Sequence, residues 1–163
     1  CNIYDCKKIH KHFHGTDVEP PNNPRSWDHC LIVVETGGMR IVHWGDNRHN
    51  PPDEIWKALG QIDIALLPVD ASQHVMGYVH VEAITERLKP RIVVPHHYYI
   101  WDVLQRQSTL QTAEAWVAER EVVERIAGPS RIYRIEEMDK LEAAVHYFGE
   151  HVNFDKTAWI EGS

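Results

Sequence analysis

The sequence predicts an α/β layered fold whose mixed sheet contains an antiparallel hairpin. Three observations carry that expectation. Two β-branched runs, Cys30–Glu35 and Met39–Trp44, flank a Gly37-Gly38 turn, the signature of a two-residue hairpin. Two near-continuous apolar runs, Ile62–Val69 and Ile92–Pro95, have the composition of strands buried on both faces. Between these runs lies a segment with helical spacing, so strands and helices alternate along the chain.

Residues 1–28 are polar and irregular, and the Pro/Asn cluster at Pro20–Pro24 reads as loop. The hairpin is expected over residues 29–44. Pro51-Pro52-Asp53-Glu54 is a helix start, with prolines first and acids in the first turn. Ile55, Ala58 and Leu59 give that helix its inner face, and Gly60 ends it. After the strand Ile62–Val69, a polar loop from Asp70 to Tyr78 precedes a helix carrying Val81, Ile84 and Leu88, which Lys89-Pro90 stops. Ile92–Pro95 then runs straight into His96-His97-Tyr98. Further on, Thr112 is expected to cap a helix with Trp116, Val117 and Val123 inside, closed by Gly128-Pro129. Arg131–Ile135 reads as a short strand, and Met138, Leu141, Val145 and Phe148 are spaced as a terminal helix. With no repeat and no linker, residues 1–163 read as a single domain.

Composition narrows the function. The chain has 17 Lys+Arg against 24 Asp+Glu, a formal charge of −7. It therefore has no global field to attract a phosphate backbone, and nucleic acid is not expected as a partner. No apolar run reaches the ~18 residues of a membrane span. Three cysteines, Cys1, Cys6 and Cys30, make no paired framework, which fits a reducing cytoplasm. Twelve histidines in 163 residues are well above the ordinary share. Imidazole is the commonest metal ligand and the physiological proton carrier.

Two of the predicted strands end in ligand-type side chains. Ile41–Trp44 leads to Gly45-Asp46, and Ile92–Pro95 leads to His96-His97. In open α/β sheets, sites gather beyond the carboxyl ends of the strands, so a carboxylate and an imidazole placed there can converge. Upstream, His10, His12 and His14 share one loop. A carboxylate with imidazoles and no thiolate is the ligand set of a catalytic zinc site, or of manganese or iron. Taken singly, Asp46 could cap a turn, His96-His97 could be a surface pair, and the HxHxH loop could be plain solvated chain.

In order, His43-Trp44-Gly45-Asp46, Ile62-Asp63-Ile64-Ala65-Leu66-Leu67-Pro68-Val69, Glu82-Ala83, Leu88-Lys89-Pro90 and Val93-Val94-Pro95-His96-His97-Tyr98 resemble the C-terminal half of a metallo-β-lactamase-fold hydrolase. The branch they resemble includes ascorbate-6-phosphate lactonase-like proteins and N-acylphosphatidylethanolamine-hydrolysing phospholipase D. The resemblance covers about residues 10–105. It implies half of a four-layer αββα sandwich and a site for two Zn2+ ions, with Mn2+ or Fe2+ as alternatives. Asp46 matches the carboxylate that bridges the two ions, and His97 the last histidine ligand. His14, with His12 as its rival, matches the single upstream histidine. His80 falls where phospholipase-like members carry an active-site histidine that is not a metal ligand.

One departure is large. The family's HxHxDH signature is absent, since in His10-Lys11-His12-Phe13-His14-Gly15 the last two places hold His and Gly. Only 34 residues separate His12 from Asp46, far fewer than the family spacing. The resemblance therefore implies that the N-terminal half of the fold is absent from this chain. The exposed inner sheet would then need a partner, either that N-terminal half-chain or a second copy in a homo-oligomer. The implied function is metal-dependent hydrolysis of an ester, lactone or phosphodiester, with Asp46 and His80 catalytic. The alternative is a non-catalytic structural or interaction module that binds one metal or none. A strand-end Asp also suits a receiver-like phosphoacceptor, but the companion acidic pair and the late strand-end Lys are missing.

Overall fold

A computed structural model describes residues 31–47, 49–51, 53–72, 75–100 and 107–150 of the chain. The hairpin forms where the Gly-Gly turn places it. β1 (Ile32–Thr36) and β2 (Met39–His43) pair antiparallel, with Thr36 opposite Met39 and Ile32 opposite His43. Gly37 and Gly38 both have positive φ, 56° and 75°, which is what a two-residue turn matched to strand twist demands. A side chain at either position would be strained.

α1 (Asp53–Leu59) follows, then β3 (Ile64–Pro68), α2 (Tyr78–Leu88) and β4 (Ile92–His96). β3 lies parallel to both β2 and β4, so the two apolar runs are neighbours in the centre of the sheet, as their composition predicts. α2 buries Val81, Ile84 and Leu88, the stripe read from the sequence. It ends where Lys89 turns left-handed (φ 46°) and its N–H bonds Thr85 O at 2.8 Å.

Beyond residue 112 the sequence reading fails three times. The helix that Thr112 was expected to cap is only α3 (Glu114–Ala118), with Ala113 at its N-cap. Val123 is not on a helix but opens β5 (Val123–Arg125). Its side of the chain is pulled out by pairing: Val123 sits opposite Val145 in a parallel ladder. Arg131–Ile135 is not a strand, and only one helical turn, α4 (Ile135–Met138), forms there. The expected terminal helix is instead β6 (Ala144–Tyr147), buried at all four positions and inserted between β4 and β5. The spacing of Met138, Leu141, Val145 and Phe148 straddled two elements, and a fully buried strand carries no alternation to betray it.

The resulting six-stranded sheet has the order β1-β2-β3-β4-β6-β5. One face is packed by the helices around Trp44, Leu59, Leu67, Ile84, Trp116 and Tyr147. The other face carries Met39, Ile64, Ile92 and Met138, with Ile41, Leu66 and Val94 only half-buried and Ile32 exposed. Among the described residues no helix is long and apolar enough to cross a membrane.

Candidate active site

The carboxyl ends of β2, β3 and β4 converge, and each end delivers one side chain. From β2 the ladder continues one step, with Trp44 N–H bonded to Leu66 O at 3.0 Å. Trp44 is fully buried and packs against Trp56. Gly45 (φ 63°) then reverses the chain, and the buried Asn47 closes the turn by donating its side-chain amide to Trp44 O. This pinned turn leaves the Asp46 carboxylate facing solvent, 55% exposed.

From β3, Val69 N–H bonds His96 O at 2.9 Å, and the next residue, Asp70, is completely buried. Its Oδ1 accepts the backbone N–H groups of Ser72 (3.0 Å) and Met76 (3.3 Å). Its carbonyl accepts Gln111 N–H at 2.7 Å. Asp70 thus organises the loop between β3 and α2, and Tyr78 ties the start of α2 to Thr112 O at 2.7 Å.

From β4 comes His97, whose φ of 56° lies in the left-handed region that costs a side-chain-bearing residue of order 1 kcal/mol or more. That turn aims the ring between the two carboxylates. Nδ1 is 3.2 Å from Asp70 Oδ2, and Nε2 is 3.4 Å from Asp46 Oδ1. A carboxylate only accepts, so a neutral His97 ring can donate to one of these two carboxylates and not to both. In one tautomer the proton sits on Nδ1, toward the buried Asp70. The Nε2 lone pair is then left facing Asp46.

In that tautomer two acceptor atoms face each other, and a cation between them would relieve the repulsion. Their separation exceeds the ~2.7–2.9 Å of a charge-assisted hydrogen bond. Two ligand atoms each ~2.1 Å from one tetrahedral ion stand about 3.4 Å apart. The pair therefore fits a shared divalent ion. It does not complete a shell: among the described residues no group of three His, Cys, Asp or Glu is arranged to hold a metal.

The sequence-derived residues divide accordingly. Asp46 and His97 are brought together. His80, in the first turn of α2, stacks on His49 with ring centroids 3.7 Å apart and planes 2° from parallel. His49 lies three residues after Asp46 in the chain. His14, with His10 and His12, lies outside the described residues. Asp70 is the residue that sequence reasoning missed. It follows β3 as Asp46 follows β2 and His97 follows β4, and that shared position was the available signal.

His96 does not point to solvent as a surface histidine would. It stacks on His43 at 4.8 Å, and its Nε2 is buried without a hydrogen-bond partner. Burial first, then the neighbouring His43 and His97 imidazoles, push its pKa down to about 4. It is neutral at physiological pH.

Comparison with known proteins gives the geometry its context. The profile of the beta-lactamase superfamily domain matches residues 1–97. A UPF0173 metal-dependent hydrolase of Thermococcus onnurineus is 41% identical over 73 residues, 44% of this chain and 32% of that protein. One from Desulforamulus reducens is 27% identical over 104 residues, 63% of this chain and 45% of that protein. The chain thus spans about a third to just under half of the length of these curated relatives. Among solved structures, a proposed Zn-dependent hydrolase of the metallo-β-lactamase superfamily from Thermotoga maritima superposes with a TM-score of 0.65. The superposition covers 87% of this chain and 63% of that one at 18% identity, a likeness of fold.

Proposed function

Because the chain belongs to the metallo-β-lactamase superfamily, we propose that it forms part of a metal-dependent hydrolase acting on an ester, lactone or phosphodiester. The observation that carries the proposal is His97 Nε2 set 3.4 Å from Asp46 Oδ1. Asp46 and His97 would hold divalent metal, zinc first, with His14 as the upstream ligand in a two-ion site. A bound ion supplies a water whose pKa falls toward neutrality, so that hydroxide is available at pH 7.

The chain's own residues do the rest. Asp46, exposed on a pinned turn, would orient the attacking water through its second carboxylate oxygen. His97, fixed by Asp70, keeps its donor atom aimed. His80, its ring plane set by the stack on His49, hydrogen-bonds the substrate or passes a proton to the leaving group. Within the superfamily, the motif order supports the branch of ascorbate-6-phosphate lactonase-like and phospholipase D-like enzymes. The half-buried Ile41, Leu66 and Val94 support a partner across that face, an N-terminal half-chain bearing HxHxDH or a second copy. The cysteine usage supports a reducing cytoplasm.

The test is metal content after dialysis, together with hydrolysis of p-nitrophenyl esters and bis-p-nitrophenyl phosphate. Both are measured for the chain alone and co-expressed with an HxHxDH segment. Metal retained and turnover gained only with the segment is the expected outcome. Neither metal nor turnover in the assembled protein would establish the non-catalytic module instead.

A further inference from the structure

We propose that Asp70 is a positioning residue that fixes the tautomer of His97, holding its proton on Nδ1 so that Nε2 stays free to bind metal. The inference rests on the hydrolase reading for its consequence, though not for its geometry. Three features of the β3 and β4 ends carry it.

First, Asp70 is completely buried and its two oxygens have separate tasks. Oδ1 is occupied by the N–H groups of Ser72 and Met76, and Oδ2 is left for His97 Nδ1 at 3.2 Å. The loop therefore sets the carboxylate's rotation before His97 is considered. Second, both sides of this contact sit on left-handed backbone: His97 itself has φ 56°, and Ala71, next to Asp70, has φ 50°. Two side-chain-bearing residues in that region, flanking one hydrogen bond, are strain that the surrounding structure holds in place. Third, among the described residues neither Asp70 nor Asp46 pairs with a lysine or arginine.

A carboxylate behind a metal-binding imidazole fixes its tautomer and raises its basicity, and losing such a partner lowers metal affinity by roughly 10–100-fold. Asp70→Asn separates this role from loop folding. The side-chain oxygen of asparagine can still accept from Ser72 and Met76, which keeps the loop intact. That choice turns the amide NH2 toward His97 Nδ1, which must then act as an acceptor. The ring proton moves to Nε2, where it bonds Asp46 directly and occupies the metal's place.

The experiment is nitrogen-detected NMR of the histidine rings in the 163-residue chain without metal, at a pH above the imidazole range. The His97 signals are identified by their loss in His97→Gln. The wild-type ring should show the Nδ1–H pattern and Asp70→Asn the Nε2–H pattern. Zinc affinity, followed through the His97 ring signals on titration, should fall about 10–100-fold in the variant. An Nε2–H ring in the wild type, or the same tautomer and zinc affinity in both proteins, overturns the inference. If the tautomer inverts as expected but zinc leaves the His97 signals of the wild type unchanged, the Asp70 assignment holds and the metal-site reading fails.

Discussion

Among the described residues, His97 and His146 are each clasped at both ring nitrogens, and they do opposite things. His97 lies between Asp70 and Asp46 at the carboxyl ends of β3 and β2. His146, on β6, lies between the Tyr133 hydroxyl at 3.2 Å and Glu124 Oε2 at 3.5 Å. The second clasp is self-contained. Glu124 is already paired with Arg131 at 3.2 Å, Tyr133 stacks on the ring, and His146 is 4% exposed within a regular strand. A neutral His146 has its proton on Nε2 toward Glu124 and accepts from Tyr133 at Nδ1. His97, in the tautomer proposed above, is the reverse, with a strained backbone and an exposed carboxylate facing Nε2. What separates a structural histidine from a ligand is not the number of partners. It is whether the ring's lone pair is already filled.

The largest expected effects test that difference. In the chain assembled with an HxHxDH segment, Asp46→Asn should abolish metal retained through dialysis and, with it, hydrolysis. The fold should change by no more than about 0.5 kcal/mol, because the side chain is exposed and makes no packing contact of consequence. His146→Ala should do the converse. Removing a buried ring should destabilise by about 2–4 kcal/mol, read by urea unfolding, with metal content per folded protein unchanged. If His146→Ala strips metal while the protein stays folded, the two clasps belong to one site and the contrast collapses.

The same contrast explains which parts of the molecule were legible in the sequence. The hairpin was readable because Gly37-Gly38 can do little else between two β-branched runs. β3, β4 and α2 were readable because each owns one uninterrupted hydrophobic period. The Asp46–His97 meeting followed from motif order and from the rule that sites gather at strand ends. The region that holds His146 was misread throughout. β6 is four residues long and buried at every one of them, so Val145 looked like part of a helical stripe begun by Met138 and Leu141. Asp70 was overlooked because an acid after a strand is also what an ordinary turn contains. Only its complete burial, invisible in one dimension, distinguishes it.

A smaller change sharpens the comparison further. Tyr133→Phe keeps the ring that stacks on His146 and removes only the hydroxyl, leaving Nδ1 without its donor. A buried acceptor left unmatched costs about 1–2 kcal/mol. Unfolding free energy should fall by that amount, with metal retention and activity unaffected. A loss near zero would mean that solvent replaces the hydroxyl, and that this clasp is looser than its counterpart at His97.

The smallest effect is a pH dependence, and its sign is fixed by the physics of burial. Burial, and after it the Arg131 charge, lower the His146 pKa, while Glu124 pulls the other way; the net direction is down. In the unfolded chain the imidazole titrates near the ordinary value of about 6.5. As pH falls through that value the unfolded state takes up a proton before the folded state does, so stability declines with falling pH. Above about 6.5 the contribution of neutral His146 is fully present, and below it the contribution drains away until the folded group also titrates. His96, held at about 4 by burial and its neighbouring imidazoles, adds a decline of the same sign. A single stability-against-pH curve therefore mixes the two. Comparing wild type with His146→Gln isolates one, because the variant should lose part of the slope below about 6.5 while the rest, including the share of His96, persists. An unchanged slope would show that Glu124 compensates the buried ring in full, and that His146 accommodates a positive charge where it sits.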